Sequence, residues 1–85
     1  MNAEEILLEN GYENVLTYGW TDCDDALIGV SNDDRAIYDY DLMIDSIINH
    51  NDMSYEEAVD WVEGIIQFIP ISNNKLPIIM YRLER

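Results

Sequence analysis

Eighteen carboxylates carry most of the chemical capacity of this 85-residue chain, which has only four Lys or Arg to set against them. Glu56, Asp60 and Glu63 recur at i, i+4 and i+7, a spacing that places three negative charges along one face of an α-helix. Four residues rise about 6 Å, comparable to the separation of neighbouring backbone phosphates. With Asp52 and Glu57 beside them and Asp39, Asp41 and Asp45 shortly before, a row of charges imitating DNA is geometrically available. Its chemistry is the capture of a basic surface. Asp22, Asp24 and Asp25 bunch around Cys23, and Asp33-Asp34 with Asp39 and Asp41 flank an apolar segment. Carboxylates so grouped can hold divalent ions, as in two-metal hydrolases. The first bunch lacks the glycine and closing glutamate of an EF-hand loop. Turns and helix caps account for aspartates at all these positions without a metal.

Nucleophilic chemistry has little to work with. The single histidine, His50, stands among Asn49, Asn51 and Asp52 at an expected helix end, where a cation complements the helix dipole. There is no nucleophile elbow and no glycine-rich phosphate loop. The residues read as a non-enzymatic protein with no cofactor and no metal. Direct nucleic-acid binding is excluded as well, since four bases do not offset eighteen acids.

The acids are unevenly placed. Residues 1–63 hold seventeen of them with one base, Arg35, a net charge of −16, whereas residues 64–85 hold Glu84 with Lys75, Arg82 and Arg85, a net +2. Such a field repels nucleic acid and anionic membrane and attracts basic surfaces. Its simpler explanation is a solvated face that keeps a small protein soluble. A hydrophobic content of 48% sets the chain apart from a disordered acidic tail, so the carboxylates must coat a packed core. Two exposed carboxylates about 6 Å apart repel by roughly 0.7 kcal/mol in water, and salt screens that repulsion. The melting temperature is therefore expected to rise from low to moderate NaCl; an unchanged value would contradict this picture.

The elements that position these charges follow from capping and periodicity. Asn2 with Glu5 has the form of a capping box, and Gly11 suits a helix C-cap, giving a short helix over 3–10. A strand near 14–18 follows, then a loop. Ala26-Leu27-Ile28-Gly29-Val30, the turn formers Ser31-Asn32-Asp33-Asp34, and Arg35-Ala36-Ile37-Tyr38 read as a hairpin over about 26–38, with a bulge or close backbone approach at Gly29. Asp39 or Asp41 caps a helix over about 40–50, which Asn49 or Asn51 ends in a left-handed conformation. Ser54 and Glu57 form a capping box opening a helix over about 54–69, stopped by Pro70. Tyr55, Ala58, Val59, Val62, Ile65, Ile66 and Ile69 define its buried side, and Gly64 points to a close helix crossing. Pro77 opens a final strand over about 77–83. The expected fold is α+β, one domain over 1–85, with a small antiparallel sheet packed by helices.

Tyr12, Tyr18 and Trp20 lie among acids in the least regular segment, where they either anchor an interface or cover the open side of the sheet. Trp61 and Tyr38 read as core or core rim. A lone Cys23, an N-terminus without a positive region and no long apolar run point to a cytoplasmic setting.

The order Ala26-Leu27-Ile28-Gly29-Val30, Arg35-Ala36-Ile37-Tyr38-Asp39-Tyr40-Asp41-Leu42-Met43, Met53-Ser54-Tyr55-Glu56-Glu57-Ala58-Val59-Asp60-Trp61-Val62 and Pro77-Ile78-Ile79 resembles small acidic proteins encoded by phages and prophages. It spans residues 26–80 and departs from their pattern at Gly64-Ile65-Ile66, where polar residues are usual. The resemblance carries over no catalytic residues. It implies a shared fold and a bacterial host, and it adds a use for the charge, since small acidic phage proteins often neutralise host defences as anti-CRISPR proteins or DNA-mimic restriction inhibitors.

The expectation is thus an inhibitor of a basic, nucleic-acid-binding host protein, meeting it through Glu56, Asp60, Glu63, Asp39, Asp41, Asp45, Tyr18 and Trp20. The alternatives are a structural or regulatory accessory protein acting as a homodimer, and a divalent-metal hydrolase.

Overall fold

The first helix, α1 (Ala3–Glu9), starts where the sequence places it, because the Asn2 side chain accepts a hydrogen bond from the Glu5 N–H at 2.8 Å. It ends at Asn10, and Gly11 follows with φ +86°, a conformation that glycine adopts without a Cβ penalty. The computed structural model describes residues 2–18, 22–67 and 76–84.

The strand expected near 14–18 does not form. Asn14 has φ +60°, which breaks extended backbone, and the Tyr18 N–H donates to the Tyr38 phenol at 3.0 Å rather than to a sheet ladder. A short 3-10 turn at Asp24–Ala26 then leads into β1 (Leu27–Val30).

The hairpin is as expected. Ser31 N–H donates to the Arg35 carbonyl at 2.8 Å, Asp34 N–H to the Ser31 carbonyl at 3.0 Å, and Asp34 takes φ +63° in the turn. β2 (Ala36–Asp39) pairs antiparallel with β1. Leu27 faces Tyr38 while Gly29 faces Ile37, so Ile28 is the extra residue of a bulge beside Gly29.

The third strand, β3 (Ile78–Met80), changes the sheet from the expected antiparallel arrangement to a mixed one of order β1-β2-β3. It pairs parallel to β2, Ile37 with Ile78 and Asp39 with Met80. A parallel neighbour requires a crossover of a dozen or more residues, and α2 (Tyr40–Asn51) with α3 (Tyr55–Gln67) supplies it. β3 is also shorter than expected, because Tyr81 and Arg82 leave the ladder for other partners.

Asp39 caps α2 by accepting from the Leu42 N–H at 3.2 Å. The left-handed residue at its other end is Asp52, φ +52°, not Asn49 or Asn51; Asn51 instead remains helical and bonds back to the Ile47 carbonyl. The capping box of α3 is formed, with Ser54 Oγ accepting from the Glu57 N–H at 3.2 Å and the Glu57 carboxylate receiving the Ser54 hydroxyl at 3.0 Å. The expected end of α3 near 69 lies outside the described residues.

One core joins these elements. Met43, Ile44 and Ile47 from α2, Ala58, Val62 and Ile65 from α3, and Ala36 and Tyr38 from β2 are buried together with Tyr18, Cys23 and Ala26. Gly64 and Trp61 depart from expectation on the geometry of α3. Gly64 is exposed, and a Cβ there would meet nothing within 4 Å, because it faces away from the Ala58–Val62–Ile65 stripe. Trp61 is 53% exposed, since it flanks that stripe rather than continuing it. Among the described residues no helix is long and apolar enough to cross a membrane.

Candidate partner-binding surface

The convergence of functional groups follows from the absence of a loop between β2 and α2. Asp39 ends the strand and caps the helix, so its carboxylate sits at the junction, only 2% exposed. Burial by itself would raise this carboxyl. The Arg82 guanidinium, whose Nε donates to Oδ2 at 2.7 Å, and the N–H groups of Leu42 and Asp41 outweigh it and hold the carboxyl below its usual range. A folded value below the unfolded one means that Asp39 stabilises the fold at neutral pH and loses that contribution in acid.

The parallel register extends one step past the ladder. Asp39 faces Met80, and the next residues, Tyr40 and Tyr81, pack ring on ring with centroids 4.9 Å apart and planes at 34°. From the other side α3 brings Glu63, whose Oε1 accepts the Tyr40 hydroxyl at 2.8 Å. That hydrogen bond, then burial, then the nearby Glu63, Tyr81 and Tyr55 push the Tyr40 phenol up to about 12. Tyr40 is therefore protonated at neutral pH and acts as a donor that fixes the Glu63 carboxylate.

Around this centre the surface is acidic and uncovered. Asp41 and Asp45, one turn apart on α2, are exposed and lie near enough to act on Arg82. Tyr55 is 66% and Tyr81 60% exposed. Tyr55, Val59 and Glu63 follow at i, i+4 and i+8 along one flank of α3. Tyr55 and Val59 also line a shallow concavity with Glu56 and Asp60.

The expected site residues divide on this geometry. Glu56, Asp60, Asp41 and Asp45 are exposed, and Glu63 is half-buried with its carboxylate held in place by Tyr40. Asp39 is corrected: a residue that both caps a helix and pairs with Arg82 has no carboxylate left for a partner. Tyr18 is also corrected, for it is 6% exposed and packs on Tyr38 with centroids 5.0 Å apart; its backbone bond to the Tyr38 hydroxyl draws it inward. Trp20 lies outside the described residues. The sequence reading assigned Tyr55 to the core and did not single out Tyr40 or Tyr81. Tyr55 opens α3 just after the cap, at the end of the apolar stripe, where cover is thinnest. Tyr81 could be placed only by knowing that β3 runs parallel to β2.

Among the described residues no group of three or more His, Cys, Asp or Glu is arranged to hold a metal ion. Two of the three aspartates around Cys23 are engaged separately. Asp22 accepts from Asn51 at 3.0 Å, and Asp25 stands 3.7 Å from His50, so both tie this loop to the end of α2. No family model, curated protein or solved structure matches this chain.

Proposed function

We propose that this protein is a non-enzymatic binding protein that covers the basic surface of a nucleic-acid-binding partner and so inhibits it. The observation that carries this reading is the continuity of the surface running from Tyr81 through Tyr40, Glu63 and Tyr55 to Glu56 and Asp60. Tyrosines and carboxylates stand side by side there, on α2, on α3 and just past β3, with Tyr55 and Tyr81 exposed. Tyrosine supplies contact area at low entropic cost, and the negative field accelerates encounter with a basic partner in a salt-sensitive way. The charged row on α3 matches a phosphate backbone only in part, because Glu63 is turned into the Tyr40 contact. The reading is therefore a mixed aromatic and acidic interface rather than a pure charge mimic. Its proposed setting is the cytoplasm of a bacterial host, and the resemblance to phage proteins supports an anti-CRISPR or anti-restriction role.

The test is recovery of nucleic-acid-binding proteins from bacterial lysate at low and high salt. Wild type is expected to retain such proteins at low salt only. Glu56→Lys combined with Asp60→Lys is expected to lose at least about tenfold of the recovery, with an unchanged circular dichroism spectrum, because both side chains are exposed. Undiminished recovery by the double variant would remove this reading. A homodimeric accessory protein is the second reading, supported by Ile28, which is exposed on the open edge strand β1; light scattering distinguishes it.

A further inference from the structure

Within the acidic surface, Tyr40 brings a carboxylate and further aromatic rings together, through its bond to Glu63, its packing on Tyr81 and the nearness of Tyr55. We infer that the site formed by Tyr40, Tyr55, Tyr81 and Glu63 receives an arginine side chain of the partner, an inference that rests on the proposed basic partner and names what it inserts. A guanidinium is flat and weakly hydrated. It stacks on a tyrosine face while its in-plane N–H groups reach a carboxylate, whereas an ammonium is a compact, strongly hydrated charge. Both halves of that recognition are present. The Tyr55 and Tyr81 rings are more than half exposed, and Tyr81 is steadied by its packing on Tyr40. The Tyr40 hydroxyl occupies Glu63 Oε1, and the other oxygen of that carboxylate accepts no hydrogen bond among the described residues.

The chain itself supplies a guanidinium bound next door. Arg82 places Nε 2.7 Å from Asp39 Oδ2 while most of its side chain stays in solvent. Arg82 does not exhaust the negative field, since Asp41 and Asp45 also act on it and Glu63 stands on the far side of Tyr40. A second guanidinium is thus attracted to the same neighbourhood, and the tyrosine faces give it a place that Arg82 does not fill.

The test titrates the whole protein at low salt with tri-arginine and, separately, tri-lysine, two peptides of equal charge, followed by ring-proton NMR. Tri-arginine is expected to shift the Tyr40, Tyr55 and Tyr81 ring signals and to bind more tightly than tri-lysine. Tyr81→Ala and Tyr55→Ala are each expected to weaken tri-arginine by about two- to fivefold and to leave tri-lysine unchanged. Both substitutions are at exposed rings, so folding should survive, and near-ultraviolet circular dichroism checks this. Equal affinities for the two peptides, or equal losses for both in the tyrosine variants, would overturn the arginine site while leaving a basic partner in place. Ring signals that move with protein concentration alone would overturn it in favour of a second copy of this chain. Failure of both peptides to bind would overturn the arginine site and the proposed basic partner together.

Discussion

Ile47→Ala is expected to lower the stability of the domain by about 2–5 kcal/mol, the range measured for truncating a fully buried aliphatic side chain. Ile47 is 0% exposed at the middle of α2, the helix that packs on α3, on β2 and on the 3-10 turn at once. Walls built from three directions do not collapse easily into the space left behind, which favours the upper part of the range. A domain of this size has only about 4–13 kcal/mol in total, so the variant gives up a large share of it. Each kcal/mol moves the midpoint by about 4–8 °C in a domain this small, so a fall of at least 10 °C or so is expected in a thermal melt. A shift of only 2 or 3 °C, about half a kcal/mol, would mean that α2 is not the centre of the core.

The second large effect is alkaline. Tyr38 is completely buried, and its phenol oxygen accepts the Tyr18 N–H at 3.0 Å. Burial is the main cause that pushes this phenol from 10 up to about 12; the Tyr18 hydrogen bond partly counteracts it, and the nearby Asp24, Cys23 and Tyr18 add to the rise. A folded value above the unfolded one means that the folded chain holds the proton more tightly. The resulting stability is complete below pH 10 and is lost as pH climbs through 12. Holding the proton to about pH 12 instead of 10 corresponds to about 3 kcal/mol. Tyr40 moves in the same direction but is partly exposed, so solvent discounts its share.

Wild type is therefore expected to lose stability in that window, its denaturant midpoint falling as phenolate absorbance rises. Tyr38→Phe separates the two roles of the hydroxyl. At neutral pH it should cost about 1–3 kcal/mol, because the buried Tyr18 N–H loses its acceptor. Above pH 10 its stability should then fall less steeply than that of wild type. If the two proteins lose stability in parallel over that range, the buried phenol is not the group responsible.

Local signals in the sequence translated well into structure, and signals that depend on distant neighbours did not. Ser54 with Glu57, Asn2 with Glu5, and Asp39 before an apolar periodic run each specify a helix start through hydrogen bonds within three residues. The hairpin is equally local, and the bulge was legible in Gly29. Strand direction was not, because Ile78–Met80 has the same apolar character whether it runs parallel or antiparallel to β2. That one ambiguity hid the Tyr40–Tyr81 pair and the Arg82–Asp39 contact. The acidic helix faces were readable as exposed, but periodicity does not say which carboxylate will be recruited by a neighbouring hydroxyl, as Glu63 was by Tyr40. Tyr18 shows the same limit, since its burial depends on a partner twenty residues away.

The parallel pairing of β2 and β3 also has a kinetic side. Asp39 and Arg82 are 43 residues apart, and joining points so distant in a free chain costs about 3 kcal/mol from the length-dependent part of loop-closure entropy alone. The hairpin and the capped helices need no such closure, so they are the natural first structures of the folding chain. Once the 12 residues of α2 and the 13 of α3 are helical and docked, most of the span is already rigid and little of the closure remains. The helix pair thus works as a splint: it shortens the search for the last strand, and the tyrosine pair at the edge of the proposed binding surface is assembled only when that search ends.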